Sequence, residues 1–244
     1  MKFSDELYEK YQSTHVAPRD GESGAGKHQA EAVLWESVYG RYLPSARNAT
    51  IIDLGCGSGS LLHWIQGRGY ADAQGIDLSP EEVALARRLG VGNVREGRLE
   101  DVLADKREHF DLIILRDVLE HLPKQTAFDT LKGILASLKR GGRLWLQVPN
   151  GASPFAGRTF YGDFTHEWAY TTLSLSQLAH SLGYNIVAFA PYHPCSGTLK
   201  SRLRIALLRV GEALMGWWLR LEMGDRRPVM SQVLVAVLEK KGAL

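Results

Sequence analysis

Residues 51–59 read Ile-Ile-Asp-Leu-Gly-Cys-Gly-Ser-Gly, an apolar run interrupted by one carboxylate and followed by three alternate glycines. Ile51, Ile52 and Leu54 favour a buried strand, and the glycines permit a sharp bend and a close approach of backbone to ligand. Leu61, Leu62, Trp64 and Ile65 follow at helical spacing, so the glycines fall on a strand-to-helix turn. Open α/β sheets bind ligands at such turns, beyond the carboxyl ends of their strands. A chain built this way is an α/β domain that cradles a nucleotide-like molecule, unless the glycines are simply the punctuation of a tight turn.

Spacing narrows the ligand. A dinucleotide fingerprint, G-x-G-x-x-G, requires glycine at position 60, where this chain has Ser60, and the Gly-Lys-Ser/Thr ending of a phosphate loop is absent. Downstream, Gly75-Ile76-Asp77-Leu78-Ser79-Pro80 reads as a second short strand ending in a carboxylate, then a helix start with Glu81 and Glu82 in its first turn. Asp77 lies about 20 residues beyond the glycine turn, where a carboxylate can accept both hydroxyls of a ribose. Ser79 is better placed than Asp77 to cap the helix.

With Asp53 ahead of G-x-G-x-G and Asp77 closing the second strand, the chain resembles class I S-adenosylmethionine-dependent methyltransferases. The resemblance covers about residues 48–192 and 229–241. It implies a Rossmann-like, seven-stranded α/β methyltransferase fold with an antiparallel last strand, an N-terminal helical lid and a helical insertion before the last strand. It also implies S-adenosylmethionine as cofactor, held by Asp53, Gly55, Cys56, Gly57, Gly59, Asp77, Leu78, Leu99, Glu100 and Arg116. Cys56 reads as a small filler of the loop rather than a nucleophile. In the segment Gly97-Arg98-Leu99-Glu100-Asp101, Arg98 stands where the family commonly has aspartate, which leaves the adenine to Glu100, Asp101 or the backbone at Leu99.

Strands alternate with helices along the rest of the chain, the pattern of a parallel sheet with right-handed crossovers. Phe110 to Leu115 reads as a strand, Leu138 to Arg143 as a helix end with a glycine stop, and Leu144 to Val148 as the next strand. Leu173 to Leu182 reads as a helix stopped by Gly183, and Tyr184 to Ala190 and Gln232 to Leu238 as the last two strands. The domain limits expected are 1–47 for an N-terminal arm and helix, 48–192 with 229–244 for the methyltransferase domain, and 193–228 for the insertion. Within the arm, Tyr8, Tyr11 and His15 are candidate lid contacts, and an amphipathic helix is expected at about Gln29 to Leu43.

Methyl transfer from a sulfonium to an alcohol requires alignment of the acceptor and a base for its proton. His121 and His166 both fall on loops at the carboxyl edge of the expected sheet and are the candidate catalytic bases. Asp117, Glu120 and His121 are spaced D-x-x-E-H, similar to the E-x-x-E-H metal motif of ubiquinone-pathway and small-RNA methyltransferases. A divalent metal with His166 as fourth ligand is therefore an alternative to a metal-free base, a surface turn being the plainer reading of His121. The run as a whole, with Leu-Glu-His-Leu, Val-Pro-Asn and Asp-Phe-Thr-His-Glu, resembles bacterial polysaccharide and O-antigen methyltransferases. That implies a glycan hydroxyl as acceptor, with a quinone-type or natural-product hydroxyl as the alternative and a non-catalytic cofactor-binding scaffold as a third reading.

Between 193 and 228, Leu203, Leu207, Val210, Leu214, Trp217, Trp218 and Leu221 form an apolar stripe beside Lys200, Arg202, Arg204, Arg209 and Arg220. Packing on the sheet is the first expectation for such a helix. An anionic membrane, touched through residues 199–222, and a homodimer face are the others, and the helix is expected far from the cofactor loop. A net charge of +2 over 244 residues does not call for a nucleic-acid partner, and two cysteines make no disulfide framework. With neither a signal-peptide core nor a run of about 18 apolar residues, the expected location is cytoplasmic, or peripheral at the inner membrane face.

Overall fold

The computed structural model describes residues 25–193, 198–224 and 229–242, with residues 7, 10, 13 and 14 of the N-terminal segment. Tyr8, Tyr11 and His15 lie outside the described residues. A helix, α1 (Ala25–Tyr39), is followed by a 3-10 turn (Gly40–Tyr42) and then by the sheet-forming region. In chain order come β1 (Ile51–Leu54), α2 (Ser60–Gly67), β2 (Gln74–Asp77), α3 (Pro80–Arg88), β3 (Val94–Glu96), α4 (Leu99–Asp105) and β4 (Phe110–Arg116). They are followed by α5 (Lys124–Ser137), β5 (Leu138–Pro149), α6 (Ala156–Phe160), α7 (Thr172–Leu182), β6 (Tyr184–Pro191), α8 (Leu199–Met223) and β7 (Val233–Lys240).

The seven strands are ordered β3-β2-β1-β4-β5-β7-β6. β1 to β5 are parallel, and β7 runs antiparallel to both β5 and β6. This is the Rossmann-like methyltransferase fold, with its antiparallel last strand inserted between β5 and β6. The sheet is buried on both faces, which explains why β1 and β4 read as continuous apolar runs rather than alternating ones. Successive side chains point to opposite faces. Ile51, Leu112, Ile114 and Trp145 pack under α1, α2 and α3, and Ile52, Leu54, Ile113 and Leu115 pack against α4, α5 and α7.

Two boundaries differ from expectation for a local reason. α5 ends at Ser137, and Leu138 already pairs with Phe110; the next pairing joins Arg143 to Leu112, so residues 139–142 bulge from β5. Gly141, with φ +75°, makes that bend, so the glycine pair shapes a bulge and not a helix stop. α1 starts at Ala25, four residues before the expected Gln29, and buries Trp35 and Tyr39 against the sheet.

The helix α8 departs more. Its apolar stripe does not pack on the sheet: Leu203, Leu207, Val210, Leu214, Trp217, Trp218 and Leu221 are all exposed. Nor is its root remote from the glycine turn. The end of β6 pairs with the start of β7 at Pro191 and Leu234, and Val233 pairs with Pro149, the last residue of β5. The insertion therefore leaves and rejoins the sheet at the carboxyl edge of the parallel strands, the edge that also bears residues 55–59.

Candidate active site

The glycine turn is held from below by β2. Gly55 and Cys56 both donate backbone N–H to the carbonyl of Ile76, at 2.8 and 3.0 Å, and Gly57 donates to Asp77 Oδ2 at 2.7 Å. Gly55 and Gly59 have φ of +79° and +77°, where L side chains are strained. A Cβ on Gly55 would stand 2.4 Å from Val118 Cγ2, and one on Gly59 2.9 Å from Val91 Cγ1. The cradle is thus shaped by the absence of side chains. The Cys56 thiol is buried against Gly75, whose Cβ would meet Cys56 Sγ at 2.8 Å, and burial raises its pKa, so it packs the core as a neutral thiol.

Asp77 lies at the rim. Its Oδ1 accepts the Ser79 N–H at 2.8 Å and its Oδ2 the Gly57 N–H, and Ser79 Oγ in turn caps α3 by accepting from Glu82 N. Burial raises the Asp77 pKa against the pull of the backbone N–H groups of Ser79, Gly57 and Leu78. The carboxylate, with about four acceptor positions, keeps capacity for a ligand hydroxyl. Leu78 is half-buried beside it, and Leu99 and Glu100 begin α4 just past β3; Gly97, the residue after β3, donates its N–H to the Asp77 carbonyl at 3.0 Å. Ser13 bonds Glu81 at the start of α3 through both its N–H and its hydroxyl, at 3.0 and 3.1 Å.

Asp53 is 1% exposed, and neither carboxylate oxygen has a hydrogen-bond partner among the described residues. Burial pushes its pKa up to about 7, opposed by Arg116 and reinforced by Asp77 and Asp117. Arg116 ends β4 with its guanidinium carbon 4.6 Å above the Trp35 ring. Burial works against its charge, but Asp117 and Asp53 outweigh it and hold its pKa above the ordinary value. Asp53 is a buried carboxyl with Arg116 nearby but no hydrogen-bond donor among the described residues, a condition that a donor group of a ligand would relieve.

Beyond β4 the chain forms the second half of the site. Asp117 adopts φ +54°, uncommon for a non-glycine residue, and its Oδ2 accepts from Gln147 Nε2 at 2.8 Å; Gln147 Oε1 accepts from Tyr39 Oη at 3.0 Å. Glu120 and His121 lie on a 3-10 turn (Leu119–His121). The carbonyl of Glu120 accepts the N–H groups of Glu167 and Trp168, at 2.7 and 3.2 Å, which ties this turn to the loop carrying His166. Ligand atoms of Glu120, His121 and His166 lie within 4.8 Å of one another, and the two imidazole centroids are 4.6 Å apart. Asp117 is not part of that group, so of the expected D-x-x-E-H set only Glu120 and His121 come together with His166. The positive φ of Asp117 and the amide of Gln147 account for its diversion.

Hydrogen bonds fix the imidazole tautomers. His166 Nδ1 lies 2.8 Å from the carbonyl of Phe160, which can only accept, so Nδ1 carries the hydrogen and Nε2 the lone pair. Thr165 Oγ1 donates to Asp163 Oδ1 at 2.6 Å and accepts from His121 Nδ1 at 2.8 Å, which leaves His121 in the same tautomer. Asp163 and Thr165 are positioning residues that the motifs did not single out, although both stand in the Asp-Phe-Thr-His-Glu run. The Glu120 carboxyl is buried with Oε2 unpartnered among the described residues; burial, then Asp117, hold its pKa well above the carboxylate range.

Residues 27–188 match a family described as a methyltransferase domain. The chain belongs to that family. Among relatives of this methyltransferase domain, a ubiquinone biosynthesis O-methyltransferase of Xanthomonas axonopodis pv. citri is 35% identical over 128 residues, 50% of this chain and 52% of the relative. One from Xylella fastidiosa is 35% identical over 107 residues, 42% of each. The chain thus spans about half the length of the curated relatives it matches. Among solved structures, a SAM dependent methyltransferase from Archaeoglobus fulgidus superposes with a TM-score of 0.64 at 19% identity, over 88% of this chain and 96% of that one. A Burkholderia thailandensis 1,6-didemethyltoxoflavin-N1-methyltransferase, solved with 1,6-didemethyltoxoflavin and S-adenosylhomocysteine, gives a TM-score of 0.59 at 18% identity over 98% of this chain and 89% of that one. At these identities the structural likeness concerns the fold.

Proposed function

We propose that this methyltransferase domain transfers a methyl group from S-adenosylmethionine to a hydroxyl of a small, quinone-type molecule. The observation that carries the reading is a pair of imidazoles, at least one with its lone pair fixed on Nε2, at the same sheet edge as a glycine cradle flanked by two carboxylates. The ubiquinone-pathway relatives support O-methylation and favour the small-molecule acceptor over the glycan hydroxyl that the sequence run implied.

S-adenosylmethionine, when bound, supplies the methyl group on a sulfonium whose departure leaves a neutral thioether. The residues present fit it: the cradle has no room for a Cβ at Gly55 or Gly59, Asp77 retains acceptor capacity for ribose hydroxyls, and Asp53 has oxygens unpartnered among the described residues that a donor group of the ligand would satisfy. Leu78, Leu99 and Glu100 flank the same rim for the adenine. With the donor held there, Asp53 and Asp77 would orient it, and His166 Nε2, seconded by His121, would take the proton of the acceptor hydroxyl. Trp35 and Arg116 exclude water from the Asp53 side.

A second reading follows from Glu120, His121 and His166. One carboxylate and two imidazoles suit a divalent ion of the zinc or manganese type, and the unpartnered Glu120 Oε2 would ionise beside it. Such an ion would supply polarisation of the acceptor hydroxyl.

The test is transfer of labelled methyl from S-adenosylmethionine to a panel of hydroxylated quinone-type rings and of sugars, with and without chelator. Transfer to the rings supports the proposal, transfer to sugars alone overturns the acceptor class, and no transfer by a chain that binds S-adenosylhomocysteine overturns the activity. Activity lost on chelation and restored by metal favours the second reading. Asp77→Ala should weaken S-adenosylhomocysteine at least about tenfold in calorimetric titration, from loss of charge-assisted hydrogen bonds of about 1.5–3 kcal/mol each before compensation by water.

A further inference from the structure

We infer that α8 is a docking element for an anionic lipid surface, and that it sets the carboxyl edge of the sheet against that surface. The inference goes beyond the methyl-transfer reading and does not depend on it.

At 3.6 residues per turn, Leu203, Leu207, Val210, Leu214, Trp217 and Trp218 fall within about 100° of arc. All are exposed, Trp217 and Trp218 at 58% and 63%. On the opposite side of the helix Ser201 and Gly216 are buried, and Glu212 Oε1 lies 2.8 Å from Nε2 of His193, which follows β6. The apolar face is therefore the outward one, the reverse of a helix that covers a core. Exposed aromatic and aliphatic residues gathered in one patch mark a surface built to be covered.

Charge selects the occupant. Between 199 and 223 the helix carries five basic and two acidic residues. Arg202, Arg209 and Arg220, all exposed, lie along one flank of the stripe and Lys200 on the other. That is the layout of a helix lying in an anionic interface, with tryptophans at headgroup depth and long cationic stems reaching the phosphates. A second copy of this helix would bring like charges together, since Glu212 is engaged with His193 and leaves Glu222 alone against five basic residues. A 25-residue helix measures about 38 Å. Among the described residues no helix is long and apolar enough to cross a membrane, so the contact is along the surface. Because β6 ends and β7 begins at the edge that bears the glycine turn and His121, docking brings the mouth of the site to the lipid.

The test is co-sedimentation of the full chain with vesicles of equal parts phosphatidylglycerol and phosphatidylcholine, against phosphatidylcholine alone. Wild-type protein is expected to pellet with the anionic vesicles and to be released as salt rises from about 0.05 to about 0.5 M, because surface attraction is screened within a few ångströms at high salt. Trp217→Ser with Trp218→Ser, and separately Arg202→Gln, Arg209→Gln and Arg220→Gln together, should each weaken binding about tenfold or more. The thermal midpoint should not move, since the changed residues face outward. Wild-type protein that stays in the supernatant at low salt, or variants that bind as well as wild type, overturn the inference. So does a dimer dispersed by the tryptophan variant without any vesicle binding, which would make the stripe an interface between copies. If the serine variant is unstable, the glutamine variant alone decides.

Discussion

Around the glycine turn, position is fixed by backbone hydrogen bonds from β1 to β2, elements that follow one another closely in the chain. At the acceptor end it is fixed by side chains drawn from far apart, such as His121 and Thr165, 44 residues distant. The first half is stiff because its geometry is that of the sheet itself. The second depends on one loop, 163–168, returning to lie on the 3-10 turn, where His121, Thr165 and Asp163 are linked in a chain of hydrogen bonds rather than a ladder. A change in the first half should therefore alter cofactor binding, and one in the second should alter turnover with binding intact.

The largest expected effect tests that division. His166→Ala should lower turnover by about 10² to 10⁴-fold, the range for a positioned base, and leave S-adenosylhomocysteine affinity within about twofold. Affinity that falls with turnover would show the two halves to be one unit. Next comes Asp53. Its folded pKa is raised to about 7, so between about pH 4 and 7 the folded chain holds a proton that the unfolded chain has released. Ligand-free stability should fall as pH rises through that window, by up to about 1.4 kcal/mol per pH unit from this group, and Asp53→Asn should flatten the dependence. Urea unfolding at pH 5 and pH 7.5 reads the difference; a slope unchanged in the variant would mean that Asp53 is solvated or paired when folded. The smallest effect is that of Thr165→Val, which removes the acceptor for His121 Nδ1. A loss of about 1 kcal/mol, roughly fivefold in turnover, is expected, with a shift in the pH profile and recovery in Thr165→Ser. No recovery by serine would reduce Thr165 to a packing residue.

The same contrast decides what could be read from the chain. Asp53, the three glycines, Asp77 and the Ser79 cap are contiguous patterns set by backbone conformation, and they lie where the pattern placed them. The acceptor half was legible only as residue types. That Asp117 would turn to Gln147 while His166 came to His121 depends on loop returns over 30 and more residues, which no local spacing encodes. The Lys139–Gly142 bulge was hidden for a related reason: a glycine pair after a helix signals a bend, and only strand pairing shows that the bend lies within β5. For α8 the amphipathic period was plain, but the period of a helix is the same whether its apolar side meets a sheet or solvent.

The register of β6 and β7 gives that helix a particular standing. Pro191 already pairs with Leu234, so the two strands meet as the arms of a hairpin before the intervening residues begin. The segment between them is an excursion from a closed junction, and its length carries little weight in the folding of the sheet, since loop-closure entropy grows only with the logarithm of length. A chain of this design can exchange the surface on which it works, by lengthening, recharging or trimming one detour, while every strand keeps its partner.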